Sequence, residues 1–173
     1  MPRQTIAEML KGGDRRSIGK SNQIAKLVLS EPRRFAELVR CLWDEDPLVR
    51  MRAADAAEKV TVTRAELLKP YKEELLGLLA EAEQIELRWH LALMVPRLEL
   101  ARPERQRVAE SLQRYLRDRS SIVRTSALQG LVDLARQDLS LKELARRTCE
   151  ESLRTGTAAM KARARRLIKD LKD

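Results

Sequence analysis

The sequence predicts an all-α fold in which about five helical hairpins stack as a solenoid, and three observations support this prediction. Apolar residues make up 43% of the 173 residues and charged residues 35%, which is typical of a folded domain. Ala, Leu, Arg and Glu dominate the composition, and these residues are the strongest helix formers. Apolar residues also recur at a constant long spacing, which indicates a repeat architecture.

The first helix of each hairpin is marked by two apolar positions four residues apart, which lie on one face of a helix. Both positions recur at a shift of 37 residues along the chain. The two series are Leu38, Leu75, Leu112 and Cys149, and Leu42, Leu79, Leu116 and Leu153. A shortened N-terminal copy carries Ile6 and Leu10 on its first helix.

The second helix of each hairpin opens with a large apolar residue and a base, and another core position follows four residues after the apolar residue. The opening pairs are Val49-Arg50, Leu87-Arg88, Val123-Arg124 and Met160-Lys161. The core positions that follow them are Ala53, Leu91, Ala127 and Ala164. In the N-terminal copy we expect the second helix to run through Ile18, Lys20 and Ala25.

Residues that start and stop helices agree with these elements. Helix starts are expected at Asp46-Pro47, at Pro103, and at Ser140 with Glu143 as a capping box. Helix ends or bends are expected at Gly12-Gly13, Pro96 and Gly156. We therefore predict a single domain over residues 1–173, with hairpins at about 2–30, 32–61, 68–98, 103–136 and 140–172.

Two stretches resemble a known repeat family. DEDPLVRMRAADAAEKV, from Asp44, and DRSSIVRTSALQGLVDLA, from Asp118, resemble the central signature of HEAT repeats and their bilin-lyase-like relatives. The resemblance covers nearly the whole chain and implies a right-handed α-α superhelix of about five HEAT-like hairpins. It also implies a hydrogen-bonded ladder between repeats, built from acids six residues before a base: Asp14 to Lys20, Asp44 to Arg50 and Asp118 to Arg124.

Composition argues against several classes of protein. No stretch reaches the roughly 18 apolar residues that a membrane span needs, so no membrane partner is expected. The first residues lack the apolar core of a signal peptide, and two cysteines offer no disulfide framework, so we expect a cytoplasmic protein. Cys41 and Cys149 are interpreted as buried, inert core residues.

No pattern of catalytic residues is evident either. With one histidine, no His/Cys cluster can build a zinc site, and the sequence contains neither a glycine-rich phosphate loop nor a Ser-His-Asp spacing. We expect no cofactor and no enzymatic activity.

The segment ELRWHLALMVPRL, from Glu86, is unusual. Trp89 lies about 200° around the helix from the core residue Leu87 and should point away from the core. Because second helices line the concave surface of HEAT stacks, the resemblance places this side chain in a groove. The candidate binding surface is Trp89, His90, Met51, Arg52, Leu93 and Arg163. The alternative is that Trp89 packs between neighbouring second helices, and Trp43 is expected to be a buried edge residue.

Three functions remain open. The leading one is a monomeric, non-enzymatic protein-binding scaffold or adaptor that uses the concave surface. The alternative is nucleic-acid binding through basic ends, because the net charge of +9 is concentrated there. Residues 1–41 hold nine Lys/Arg against four Asp/Glu, and residues 142–173 hold ten against five. The candidate anion patch is Lys161, Arg165, Arg166 and Lys169, although these residues also suit the solvated outer face of a capping helix.

A resemblance to helical-repeat DNA-alkylation-repair glycosylases would imply aromatic residues and a carboxylate on a basic concave face. Trp43 and Trp89 are present, but no residue matches as the acid, so no catalytic residue is assigned. A bilin-lyase-like role is a third possibility, supported by the repeat alone. HEAT repeats serve many unrelated functions, so the repeat does not select among them.

Overall fold

The computed structural model describes residues 3–171, which form ten α-helices and contain no β-strand. The helices are α1 (Ile6–Leu10), α2 (Ser21–Ser30), α3 (Phe35–Arg40), α4 (Pro47–Thr61), α5 (Lys72–Glu81), α6 (Ile85–Met94), α7 (Arg102–Tyr115), α8 (Ser121–Gln137), α9 (Lys142–Thr155) and α10 (Ala158–Asp170). Short 3-10 segments connect several of them: Pro32–Arg34, Cys41–Trp43, Ala65–Tyr71, Val95–Arg97 and Leu139–Leu141. The all-α prediction is therefore confirmed.

The chain divides into two compact units, Met1–Lys72 (unit 1) and Glu73–Asp173 (unit 2). In unit 1, α4 packs against α1, α2 and α3. In unit 2, α8 packs against α6, α7, α9 and α10. Each unit is thus organised around one of the predicted second helices. A single domain over residues 1–173 stays a prediction, and the predicted hairpin limits at residues 2 and 172 lie outside the described residues.

The repeated apolar positions form the cores of the hairpins. All four members of the series that begins at Leu38 are fully buried. In the second series, Leu42 and Leu79 are buried, whereas Leu116 and Leu153 are half-buried. All eight apolar positions predicted for the second helices are buried: Val49, Leu87, Val123, Met160, Ala53, Leu91, Ala127 and Ala164. The spacing in the sequence therefore located the core face of both kinds of helix.

Most predicted helix boundaries agree with the structure. The Oδ1 atom of Asp46 accepts a hydrogen bond of 2.8 Å from the Leu48 amide, and Pro47 is the first residue of α4. Helix α6 ends at Met94, immediately before the 3-10 turn that contains Pro96. The capping box at Ser140 was wrong, because Asp138 caps the preceding 3-10 turn by accepting from the Ser140 amide, and α9 begins at Lys142.

The predicted second helix of the first hairpin was also wrong in its N-terminal part. Helix α2 begins only at Ser21, and Ile18 is 43% exposed in the loop that covers residues 11–20. Helix α2 does not begin earlier because Gly19 has a φ of +52°, a left-handed conformation that glycine adopts without strain and that lies outside the right-handed helical region. A side chain on Gly19 would also lie 2.7 Å from Cζ of Arg52.

Arg52 of α4 holds this loop in place. Its Nη1 atom donates 2.7 Å to the Leu10 carbonyl and also donates to the Gly12 carbonyl. Its Nη2 and Nε atoms donate to the carbonyls of Asp14 and Ser17, at 3.0 and 3.1 Å. One buried guanidinium therefore satisfies four backbone acceptors, one at the end of α1 and three in the loop at residues 11–20.

Candidate functional site

The second helices of unit 2 lie side by side in chain order, with α6 against α8 and α8 against α10. A glycine allows the first of these contacts. A Cβ atom added at Gly130 of α8 would lie 2.2 Å from the Ala92 carbonyl oxygen of α6, which is far inside van der Waals contact. We give the name second-helix face to seven accessible side chains of these three helices: Trp89, Leu93, Gln129, Asp133, Arg136, Arg163 and Asp170.

The apolar part of the second-helix face lies on α6. Trp89 and Leu93 are one helical turn apart, and both are half-buried. Trp89 therefore matches neither the fully exposed nor the fully buried interpretation of its position. Its ring lies against the ring of His90, with 3.4 Å between the centroids and 30° between the planes. His90 is only 1% exposed, so the prediction that it belongs to a binding surface was wrong.

The polar part is a hydrogen-bond network that joins α8 to α10. Nη1 of Arg163 donates 3.0 Å to Oε1 of Gln129, whose Nε2 atom donates 3.0 Å to Oδ1 of Asp133. Arg136 donates 3.0 Å to the same oxygen of Asp133 and 2.8 Å to Oδ2 of Asp170. The network aligns the two helices and fixes the guanidinium of Arg163 at the edge of the face.

Burial shapes the electrostatics of this network. Burial raises the pKa of Asp133, against the opposing effects of the Gln129 hydrogen bond and the positive charges of Arg136, Arg97 and Arg163. Burial also lowers the pKa of Arg163, with a further contribution from the positive charge of nearby Arg166. Within the network, Arg136 and Arg163 balance the charges of Asp133 and Asp170, so the excess positive charge near it comes from Arg97 and Arg166.

Gln129, Asp133 and Arg136 were not predicted from the sequence as functional residues. Their spacing of i, i+4 and i+7 places them on one stripe of α8, away from the buried residues of that helix. The signal was therefore present in the sequence, but a polar stripe on an exposed helix face is so common that it did not point to a network.

Two of the predicted surface residues, and the predicted edge residue Trp43, lie in unit 1. Met51 is half-buried on α4. Arg52 is 2% exposed, and the prediction that it flanks a groove was wrong because its donors are used by the carbonyls of the loop at residues 11–20. Trp43 is 47% exposed rather than buried, because the chain tightens into a 3-10 turn after α3 and rotates Trp43 away from the buried Leu42.

The candidate anion patch lies on α10. Arg165, Arg166 and Lys169 are exposed, and Lys161 is half-buried. Within residues 3–171, none of these four side chains takes part in an ion pair. Their helix packs against the unit through Met160, Ala164 and Leu167, so the basic side chains cover its outer surface.

One step of the ladder that the resemblance implies joins two neighbouring hairpins of unit 2. Asp118 accepts a hydrogen bond of 2.7 Å from Nη1 of Arg88, which belongs to the preceding hairpin, and not from Arg124. Burial acts to raise the pKa of Asp118, but hydrogen bonds from the Ser120 amide and from Arg88 outweigh it and hold the pKa below its ordinary value. In unit 1, Arg50 donates to the carbonyls of Asp44 and Glu45.

No group of three or more His, Cys, Asp or Glu side chains among residues 3–171 is placed to hold a metal ion. Burial raises the pKa of both Cys41 and Cys149 to about 11, and both thiols are free and buried. None of the described helices is both long enough and apolar enough to cross a membrane.

Comparisons with known proteins bear on the fold alone. No family model and no curated protein matches the sequence. Two crystal structures of engineered proteins from the Northeast Structural Genomics Consortium are similar in fold, each at 16% sequence identity. The first has a TM-score of 0.66 over 96% of this chain and 78% of its own. The second has a TM-score of 0.64 over 97% of this chain, which spans 47% of the longer engineered chain.

Proposed function

We propose that the protein is a non-enzymatic scaffold of HEAT-like repeats, wound as a right-handed solenoid, that binds another protein through the second-helix face of unit 2. The single observation that carries this proposal is the position of Trp89 and Leu93, which are half-buried on the same face as a fixed network of arginines and aspartates, to which the nearby Arg97 and Arg166 add positive charge. Aromatic and arginine side chains are enriched among the residues that dominate binding energies.

The chemistry of the face defines the partner. Trp89 and Leu93 offer an apolar strip about one helical turn long on α6. Arg136 lies at the C-terminal end of α8 and bonds Asp170 of α10, and Arg163 lies on α10 itself. A segment that carries apolar residues on one side and Asp or Glu on the other complements both parts. We therefore expect an acidic amphipathic segment of a partner protein.

Affinity capture with matched variants tests this proposal. The tagged protein is incubated with native lysate, with and without nuclease, and captured proteins are quantified by mass spectrometry. We expect a nuclease-resistant partner whose capture falls at least about tenfold with Leu93→Asp, because a carboxylate then stands in the apolar strip and repels acidic residues. This substitution retains Trp89 and its contact with His90, so it leaves the ring packing intact.

Trp43→Ala is the control, because it removes an exposed tryptophan from unit 1. Capture that is retained by this variant and lost with Leu93→Asp supports the second-helix face. Partners captured equally by both variants, at equal helical content by circular dichroism, would refute it.

A second candidate function rests on the outer surface of α10. Arg165, Arg166 and Lys169 are exposed there without ion pairs in the described part of the chain, as a phosphate-binding surface requires. Fluorescence anisotropy with a labelled duplex, measured at several salt concentrations, tests nucleic-acid binding. For each tenfold increase in salt concentration, the logarithm of the binding constant should fall by about 0.9 per phosphate contact. Binding that is independent of salt, or unchanged in Arg165→Gln/Arg166→Gln/Lys169→Gln, would exclude this function.

A further inference from the structure

One position of the implied ladder between hairpins is open. The second helices α4, α6, α8 and α10 each carry a base as their fourth residue. In two of these helices the base donates a hydrogen bond to the backbone carbonyl six residues earlier. Arg50 donates 2.7 Å to the Asp44 carbonyl, and Arg88 donates 2.7 Å to the Ala82 carbonyl. Arg88 then reaches the carboxylate of Asp118 in the following hairpin.

Arg124 is the corresponding base of α8. Its Nε atom is buried and has no hydrogen-bond partner among residues 3–171. Asp118, six residues earlier, is engaged by Arg88. The position 37 residues after Asp118 holds Thr155, which has no negative charge and whose hydroxyl donates to the Glu151 carbonyl. The following hairpin therefore lacks the carboxylate that completes the preceding step of the ladder.

A cleft of about 350 Å³ opens at this place in unit 2. Its walls come from α7, α8, α9 and the start of α10, and they include Arg117, Arg124, Thr148, Glu151 and Thr155. The guanidinium groups of Arg117 and Arg124 are cationic, whereas Glu151 is the acid of the lining, so the cleft carries a net positive charge. Its volume lies at the lower end of the range for small-molecule sites and suits a group of a few heavy atoms.

We propose that this cleft binds a carboxylate, which takes the place that an acidic side chain occupies in the pair of Arg88 with Asp118. A planar carboxylate matches the fork of guanidinium donors, and Arg124 presents the accessible part of its guanidinium to the cleft, next to the buried Nε–H group. The carboxylate belongs either to a small dicarboxylic acid or to an acidic side chain of a peptide. The site is independent of the second-helix face and of the function proposed for that face.

Nuclear magnetic resonance of the arginine Nε–H groups tests the proposal directly. The Arg124 resonance is assigned from its loss in Arg124→Gln, and glutarate, the peptide acetyl-Gly-Glu-Gly-amide and inorganic phosphate are titrated separately at neutral pH. We expect a saturable shift of the Arg124 resonance with glutarate or the peptide. Tighter binding of the peptide identifies a protein segment as the source, and tighter binding of glutarate identifies a small molecule.

A matched pair of substitutions separates this site from non-specific charge effects. Thr155→Asp supplies the missing carboxylate from the chain itself, so it should shift the Arg124 resonance without ligand and weaken glutarate binding about tenfold or more. Thr155→Asn has nearly the same shape without the charge and should bind glutarate as the natural chain does. Equal binding by the two variants would overturn the proposal.

Two further results would overturn it. One is the absence of saturation by glutarate and by the peptide up to tens of millimolar. The other is a saturable shift with phosphate alone, which would assign the cleft to a different anion.

Discussion

Replacing Arg52 by methionine tests whether one buried guanidinium holds the loop at residues 11–20. Methionine fills a similar volume but has no donor, so the four carbonyls that Arg52 serves lose their partner together. A hydrogen bond to a charged group contributes about 1.5–3 kcal/mol. The contributions do not add, because the loop is exposed and its freed carbonyls can turn to water. We therefore expect the free energy of unfolding to fall by about 2–4 kcal/mol.

Two measurements check this expectation. Urea unfolding gives the free energy of unfolding, and limited trypsin digestion reports on the loop, since Arg15, Arg16 and Lys20 are exposed cleavage sites within it. Cleavage at these sites should accelerate in Arg52→Met, because a loop without its anchor opens more often.

Arg40→Met is the control, because Arg40 is exposed on α3 in the same unit, and the change should alter stability by no more than about 0.5 kcal/mol. Equal losses in Arg40→Met and Arg52→Met, or an unchanged rate of cleavage in the loop, would refute the assigned role of Arg52.

Three further predictions follow from the packing and the charges. Gly130→Ala should lower the free energy of unfolding by about 1–3 kcal/mol, because the new methyl group meets a backbone carbonyl of α6. Gly77→Ala should raise it by about 0.5–1 kcal/mol, since nothing lies near that helical position, and an opposite ranking in urea unfolding would contradict the described packing. At pH 8, Cys41 and Cys149 should react with iodoacetamide only after unfolding, because a pKa of about 11 leaves about one thiol in a thousand ionised. Labelling is followed by mass spectrometry. Rapid labelling of the native protein would contradict this prediction, because it would show that the thiols are accessible. Asp118→Asn should cost about 1–2 kcal/mol at pH 7. The lowered pKa of Asp118 means that its ionised carboxylate stabilises the folded state. The cost of the substitution should therefore fade as the pH falls below about 4, where the carboxylate becomes protonated. A cost that is independent of pH would contradict the ion pair with the arginine of α6.

The core and the helical class could be predicted from the sequence because they depend on local periodicity. A spacing of four residues puts two side chains on one helix face, and the shift of 37 residues copies that face from hairpin to hairpin. Leu38, Leu75, Leu112 and Cys149 are therefore all buried, as predicted. The helix cap at Asp46 and the helix start at Pro47 could also be predicted, because capping depends on residues adjacent in the chain.

Contacts between distant segments depended on the tertiary structure alone. Arg52 has the register of a surface base, but it lies beside a loop about 40 residues earlier in the chain and donates to carbonyls of that loop, and it is therefore buried. His90 was assigned to the surface from its angle on α6, whereas neighbouring helices cover it.

The missing acidic partner of Arg124 depended on both the sequence and the tertiary structure. The sequence already contained both parts of the reason for it: a base in the repeated position and a threonine where an acid would stand. Only the tertiary structure shows that Asp118 is engaged by Arg88 and that a cleft lies beside the buried Nε atom. Periodicity therefore determined which residues face the core, whereas partners, and the places where a partner is missing, were decided by how the hairpins pack.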